Sequence, residues 1–128
     1  MIEISEPLPD SEPGYKTVHN ISLDGKYIGY VDVSYLRQED VKTFQKYTKR
    51  KLKAGQPFGV QVFIDISKGG VKATDIGTQG LLQIVNALKQ KLEGLEDRDI
   101  FILELEAGRK RPISRGGEIQ VPRIPTRE

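Results

Sequence analysis

The chain predicts an α/β (α+β) domain: a small mixed β-sheet with two packed helices, in the order β-β-α-β-α-β with a final short strand. Three observations predict it. Apolar residues alternate with period two in four stretches, near 15–23, 27–35, 58–67 and 99–106. Two stretches, 38–54 and 75–93, instead repeat apolar residues at helical spacing. The segment 58–106 then reads as strand, helix, strand, the unit that forms right-handed parallel crossovers.

Each element has its own warrant. Residues 1–14 carry Pro7, Pro9, Pro13 and Gly14, with the acids Glu3, Glu6, Asp10 and Glu12 and no base. This predicts an acidic extended arm without regular structure. Residues 15–36 predict a hairpin. Tyr15, Thr17, His19, Ile21 and Leu23 share one face of its first strand, and Tyr27, Gly29, Val31, Val33 and Tyr35 one face of its second. Asp24-Gly25 between them suits a type I′ turn. The helix at 38–54 has Glu39 and Asp40 at its positive end and a basic C-terminal half, as the macrodipole favours. Val41, Phe44, Thr48 and Leu52 would face the core, and Gly55 would end it. Phe58, Val60, Val62, Ile64 and Ile66 line a buried strand, followed by a loop at Ser67-Lys68-Gly69-Gly70. Leu81, Val85, Leu88 and Leu92 form the stripe of the second helix, which Gly94 closes. In the strand at 99–106, Phe101, Leu103 and Leu105 are expected on the core face. The domain proper is thus 15–106, with a basic tail at 107–128. Glu118 to Val121 form a short edge strand, and Pro112, Pro122 and Pro125 limit anything longer.

Composition narrows the chemistry. The chain has 128 residues, 37% hydrophobic and 30% charged, which fits one ordinary globular core. A net charge of +2 is too small to specify a partner. The chain has no cysteine and a single histidine, which excludes disulfides, thiolate metal sites, thiol nucleophiles and multi-histidine cages. His19 lies among apolar and threonine neighbours and is expected to be partly buried and hydrogen-bonded. No apolar run approaches the ~18 residues of a membrane span. The acidic, proline-bearing start is unlike a secretory signal, so a cytoplasmic location is expected.

Four sets of residues are candidates for chemistry. Lys68, Gly69, Gly70 and Lys72 join a strand to a helix and predict an anion-binding loop, with amides at the helix start free to meet an anion. Asp75, Glu96 and Asp97 are the acids that a two-metal nuclease would use, if they converged. Lys42, Lys46, Lys49 and Lys53 form a stripe along the first predicted helix, with Arg50 beside it. With Arg109, Lys110, Arg111 and Arg115 they predict a phosphate-tracking surface, on which Tyr47 could stack a base. Finally, the ends differ in sign: four acids in 1–14, against six bases and two acids in 107–128. Arms of opposite charge suit docking onto a neighbouring subunit.

Two resemblances add to this. Lys68-Gly69-Gly70-Val71-Lys72-Ala73-Thr74 resembles the deviant P-loop of ParA-type ATPases, KGGVGKT. It lacks the glycine before the second lysine, and Ala73 stands where a hydroxyl would hold Mg²⁺. From about residue 38 to 121, the chain resembles RusA-like Holliday-junction endonucleases, small Mg²⁺-dependent homodimers. Asp75-Ile76 falls where that family has its DxDN run, Glu96-Asp97 near its second acidic turn, and Arg111-Pro112-Ile113-Ser114-Arg115-Gly116-Gly117 near its C-terminal hairpin. Gly77 and Thr78 replace the second Asp and the Asn. The resemblance therefore implies a degenerate relative without the paired acids.

The function these readings favour is a non-catalytic interaction or assembly protein, a homo-oligomer or an accessory subunit of a larger particle such as a viral or mobile-element one, acting through its charged arms. No cofactor is implied. The alternative is a nucleic-acid-binding protein, of which a degenerate or active RusA-like junction endonuclease is one form, and that form alone would need Mg²⁺. No membrane partner is expected.

Overall fold

A computed structural model describes residues 1–9, 11–12, 14–107, 109–115 and 118–119, with 114, 115, 118 and 119 described as backbone. The fold is the small mixed α/β arrangement that the sequence predicts. Its strands are β1 (Ile2–Ile4), β2 (Lys16–Leu23), β3 (Lys26–Tyr35), β4 (Pro57–Asp65), β5 (Ile100–Glu106), β6 (Arg109–Arg115) and β7 (Glu118–Ile119), and they lie in the sheet in chain order. All neighbours are antiparallel except β4 and β5, which are parallel. The connection between those two carries α2 (Ile66–Gly69) and α3 (Ala73–Lys91), while α1 (Val41–Thr48) joins β3 to β4.

The hairpin turn forms as its residues demand. Asp24 and Gly25 both take positive φ, 51° and 82°. Gly29 is required by a close approach instead: a Cβ there would collide with the Phe63 carbonyl of β4. The core lies between one sheet face and α3. Val31, Val33, Val60, Val62, Ile64 and Ile102 of the sheet meet Leu81, Ile84 and Leu88 of the helix, all fully buried. Each such side chain contributes about 1.5–3 kcal/mol through burial.

Four expectations about the elements are corrected. The N-terminal arm is not irregular throughout. Ile2–Ile4 adds an edge strand to β2, and the chain beyond continues along it through Ser5 N–H to the Asn20 carbonyl (2.9 Å) and Leu8 N–H to the Val18 carbonyl (2.7 Å). The Ser5 and Ser11 hydroxyls accept from the Asn20 and Val18 amides, so side chains complete a ladder that Pro7 and Pro9 interrupt.

The first helix stops at Thr48 rather than near 54, because Lys49 turns left-handed (φ 56°) and sends Arg50 inward. The loop after β4 begins as the single helical turn α2, and α3 is broken at Gly77 (φ 78°, ψ 168°), so its continuous part starts at Thr78.

The face of β5 is reversed. Ile100, Ile102 and Glu104 point to the helix side, and Phe101, Leu103 and Leu105 to the other. One parity of Ile-Phe-Ile-Leu-Glu-Leu-Glu is apolar throughout (Phe101, Leu103, Leu105) and the other only at Ile100 and Ile102, yet the register Val60↔Ile100 and Val62↔Ile102 turns the second one inward.

The basic tail is part of the sheet through Arg115. Pro112 is accommodated beside the bulge between Ile102 and Leu103, where β7 does not yet flank β6. Gln120 and Val121, the end of the expected last strand, and the tail bases Arg123 and Arg127 lie outside the described residues.

Candidate interaction face

The long helix covers one face of the sheet. On the other face the register sets three transverse rows. One runs Val18–Asp32–Gln61–Phe101. The next runs Asn20–Tyr30–Phe63–Leu103–Pro112. The third joins Asp65, Leu105 and Lys110. Their β3 to β6 half carries Tyr30, Phe63, Phe101, Leu103, Leu105 and Pro112, with the exposed Gln61 beside Phe101. Phe101 is 42% exposed, and Tyr30, Leu103 and Leu105 are half-buried, with no helix of the described residues across them. Phe63 is buried at the centre. The Tyr30 ring stacks on it (centroids 4.8 Å apart, planes at 25°), and the Lys110 ammonium sits 5.1 Å from its centroid. A solvated antiparallel sheet face ordinarily alternates to polar. Here the outward side of β5 is apolar throughout, with Phe101, Leu103 and Leu105, while its helix side holds Ile100, Ile102 and Glu104. Charges flank the apolar rows: Lys110 on β6, and on β3 Asp32, whose carboxylate meets Lys16 at 3.7 Å.

The carboxyl end of this face is closed by Asp65, which accepts from Tyr27 Oη (3.1 Å) and Ser67 Oγ (2.6 Å). Burial opposes ionisation of Asp65, but the Ser67 and Tyr27 hydrogen bonds outweigh it and hold its carboxyl below the ordinary range. Burial, with the Asp65 carboxylate beside it, pushes the Tyr27 phenol up to about 12.

The residues singled out in the sequence fall elsewhere and do not meet. At the start of α3, the Lys72 amide donates to Asp75 Oδ2 (3.0 Å) and the Ala73 amide to Glu104 Oε2 (2.7 Å). Of the amides expected to meet an external anion, those of Lys72 and Ala73 are thus taken by the chain's own carboxylates and those of Asp75 and Ile76 by the Lys72 carbonyl. Gly70 supplies the left-handed turn (φ 66°), and Lys68 and Lys72 are exposed. Asp75 lies at one end of α3. Glu96 and Asp97 lie beyond the other, with the ~20 Å of helix from 78 to 91 between them. Glu96 accepts from Arg50 Nη2 (3.1 Å) and Arg98 Nε (3.0 Å), and Asp97 pairs with Lys89 (2.8 Å). Among the described residues no group of three or more histidines or acids is placed to hold a metal ion.

The basic residues also separate. Lys42 and Lys46 stand one turn apart on α1, and Lys49 and Lys53 follow it in the loop before β4. Arg50 is buried, its guanidinium donating to Asp99 Oδ1 (2.6 Å) and Oδ2 (3.1 Å). Arg109, Lys110 and Arg111 sit at the opposite end of the sheet. Arg111 pairs with the buried Glu104, and both line a cleft of about 610 Å³ with Glu106 and Arg109. The side chain of Arg115 lies outside the described residues. The two basic groups therefore form no single concave surface.

His19 is buried as expected. Nδ1 donates to the Ser5 carbonyl (2.8 Å), and Nε2 lies 2.9 Å from Thr17 Oγ1. The N-terminal arm spends one of its acids at home: Glu6 meets Lys91 at 2.9 Å, which draws its carboxyl below the ordinary range. Sequence reasoning missed Tyr30, Phe63 and the outward-facing β5 row. The available signal was the unbroken apolar run 100–103, which calls for burial on both sides. No helix of the described residues is long and apolar enough to cross a membrane. No family model, no curated protein and no solved structure matches the chain.

Proposed function

We propose that the protein is a non-catalytic assembly subunit that associates with a second copy of itself through the uncovered sheet face. The observation that carries this reading is the unalternated β5, with Phe101, Leu103 and Leu105 turned away from the helix side. Face-to-face packing would make each sheet one half of a sandwich, the usual fate of a sheet apolar on both sides. Charge favours a second copy as the occupant. Lys110 and Asp32 lie on opposite borders of the apolar rows. A two-fold axis across the face, midway between them, sets each Lys110 over Asp32 of the other copy and centres Phe63 and Leu103. Such self-complementarity is what an isologous interface needs. The charged arms are not the means of association in this reading, because β1 and Glu6 are engaged within their own chain.

Size-exclusion chromatography with light scattering on four proteins tests it. The wild type and the double reversal D32K/K110D should run as dimers, and K110D and L103E as monomers. Monomers throughout, or a K110D protein as dimeric as the wild type, would overturn it.

A further inference from the structure

The segment Lys49-Arg50-Lys51-Leu52-Lys53 alternates. Arg50 and Leu52 turn in, their side chain and residue 6% and 7% exposed, and the three lysines turn out. Its backbone is fastened as well: the Leu52 amide donates to Gln45 Oε1 (2.8 Å) and the Lys53 amide to Gln56 Oε1 (3.3 Å). Holding Arg50 inward leaves its Nε–H buried without a partner, a cost that solvated lysines alone would not require.

Lys51 and Lys53 line a cleft of about 650 Å³ together with Lys91, which is paired with Glu6, and with Pro57, Leu92 and Tyr35 as its apolar part. Among the described residues neither Lys51 nor Lys53 has an ion-pair partner, whereas Glu96 in the same wall is occupied by Arg50 and Arg98. The Cα atoms of residues two apart lie at most ~7 Å from one another, so the flexible side chains of Lys51 and Lys53 can both reach one multiply charged group.

We propose that this cleft binds a small organic phosphate, a nucleotide or sugar phosphate. Lys51 and Lys53 hold the phosphoryl oxygens and the apolar wall takes the organic part. Glu93 in the same cleft is available to accept from its hydroxyls. The pinned backbone lowers the ordering cost of binding. The site is independent of the sheet face.

Isothermal titration calorimetry with ADP, and separately with inorganic pyrophosphate, tests the proposal on the full chain. Saturable ADP binding at one site per chain is expected. It should weaken at least about tenfold in K51Q/K53Q, as loss of charge-assisted bonds requires, stay unchanged in K42Q/K46Q, and persist in L103E. Three results would each overturn it: no saturable binding of either probe, equal weakening in K42Q/K46Q, or binding of oligonucleotides without ADP. All four lysines are exposed, so these variants leave the core intact.

Discussion

Glu104 is the most deeply buried charged side chain among the described residues. It is 2% exposed, points into the helix side of β5, and is held by the Ala73 amide and by Arg111. Glu104→Ala would leave the first amide of α3 buried without an acceptor and should destabilise the protein by about 2 kcal/mol in denaturant unfolding. Asp65 acts through pH. Its folded pKa is depressed, so its contribution is present above the unfolded value, the ordinary carboxylate range, and is lost as pH falls through the lower folded one. Acid unfolding of the wild type should therefore steepen below about pH 4, and the Asp65→Asn protein should lack that part of the slope. Tyr27 has the opposite sign. Its folded value of about 12 contributes stability that is whole below the unfolded phenol pKa, near 10, and declines as pH rises toward 12. Ultraviolet titration should find one tyrosine ionising last, and Tyr27→Phe should remove it.

The Arg50 clamp shows why element boundaries were only partly legible. The lysine-rich stretch after Thr48 has good helix propensity, but the Asp99 and Glu96 carboxylates lie 46 to 49 residues away in sequence and draw Arg50 out of the helix. No local pattern announces such a pair. Asp99 is buried with it, so Arg50→Ala should cost about 3 kcal/mol, and Asp99→Ala added to it should cost little more, because the uncompensated charge goes too. Where signals are local, the sequence could be read directly. Asp24-Gly25 predicts its turn, and Leu81, Val85, Leu88 and Leu92 predict the buried stripe of α3. In β5 periodicity pointed to the wrong face: Phe101, Leu103 and Leu105 are the more apolar set, and the parallel register with β4 turned Ile100, Ile102 and Glu104 inward instead. The arm was misjudged for a related reason. Prolines argued against a ladder that Ser5 and Ser11 supply through their hydroxyls.

At the scale of the molecule, the candidate site is a property of layers more than of motifs. The acids, lysines and glycines singled out along the chain are distributed to both ends of α3 and both ends of the sheet, and they spend much of their charge inside the fold. Among the described residues, one sheet face is left without a covering layer, and it carries Tyr30, Phe63, Phe101, Leu103 and Leu105 in register across β3 to β5. A two-layer domain that leaves such a face open has an apolar surface to cover, and a second copy covers it with matching charge at its borders. Sedimentation equilibrium of the wild-type chain across a range of protein concentrations tests this most directly. The account predicts a reversible monomer–dimer equilibrium that stops at two. A monomer at every concentration, with Phe101 and Leu103 left in water, would contradict it.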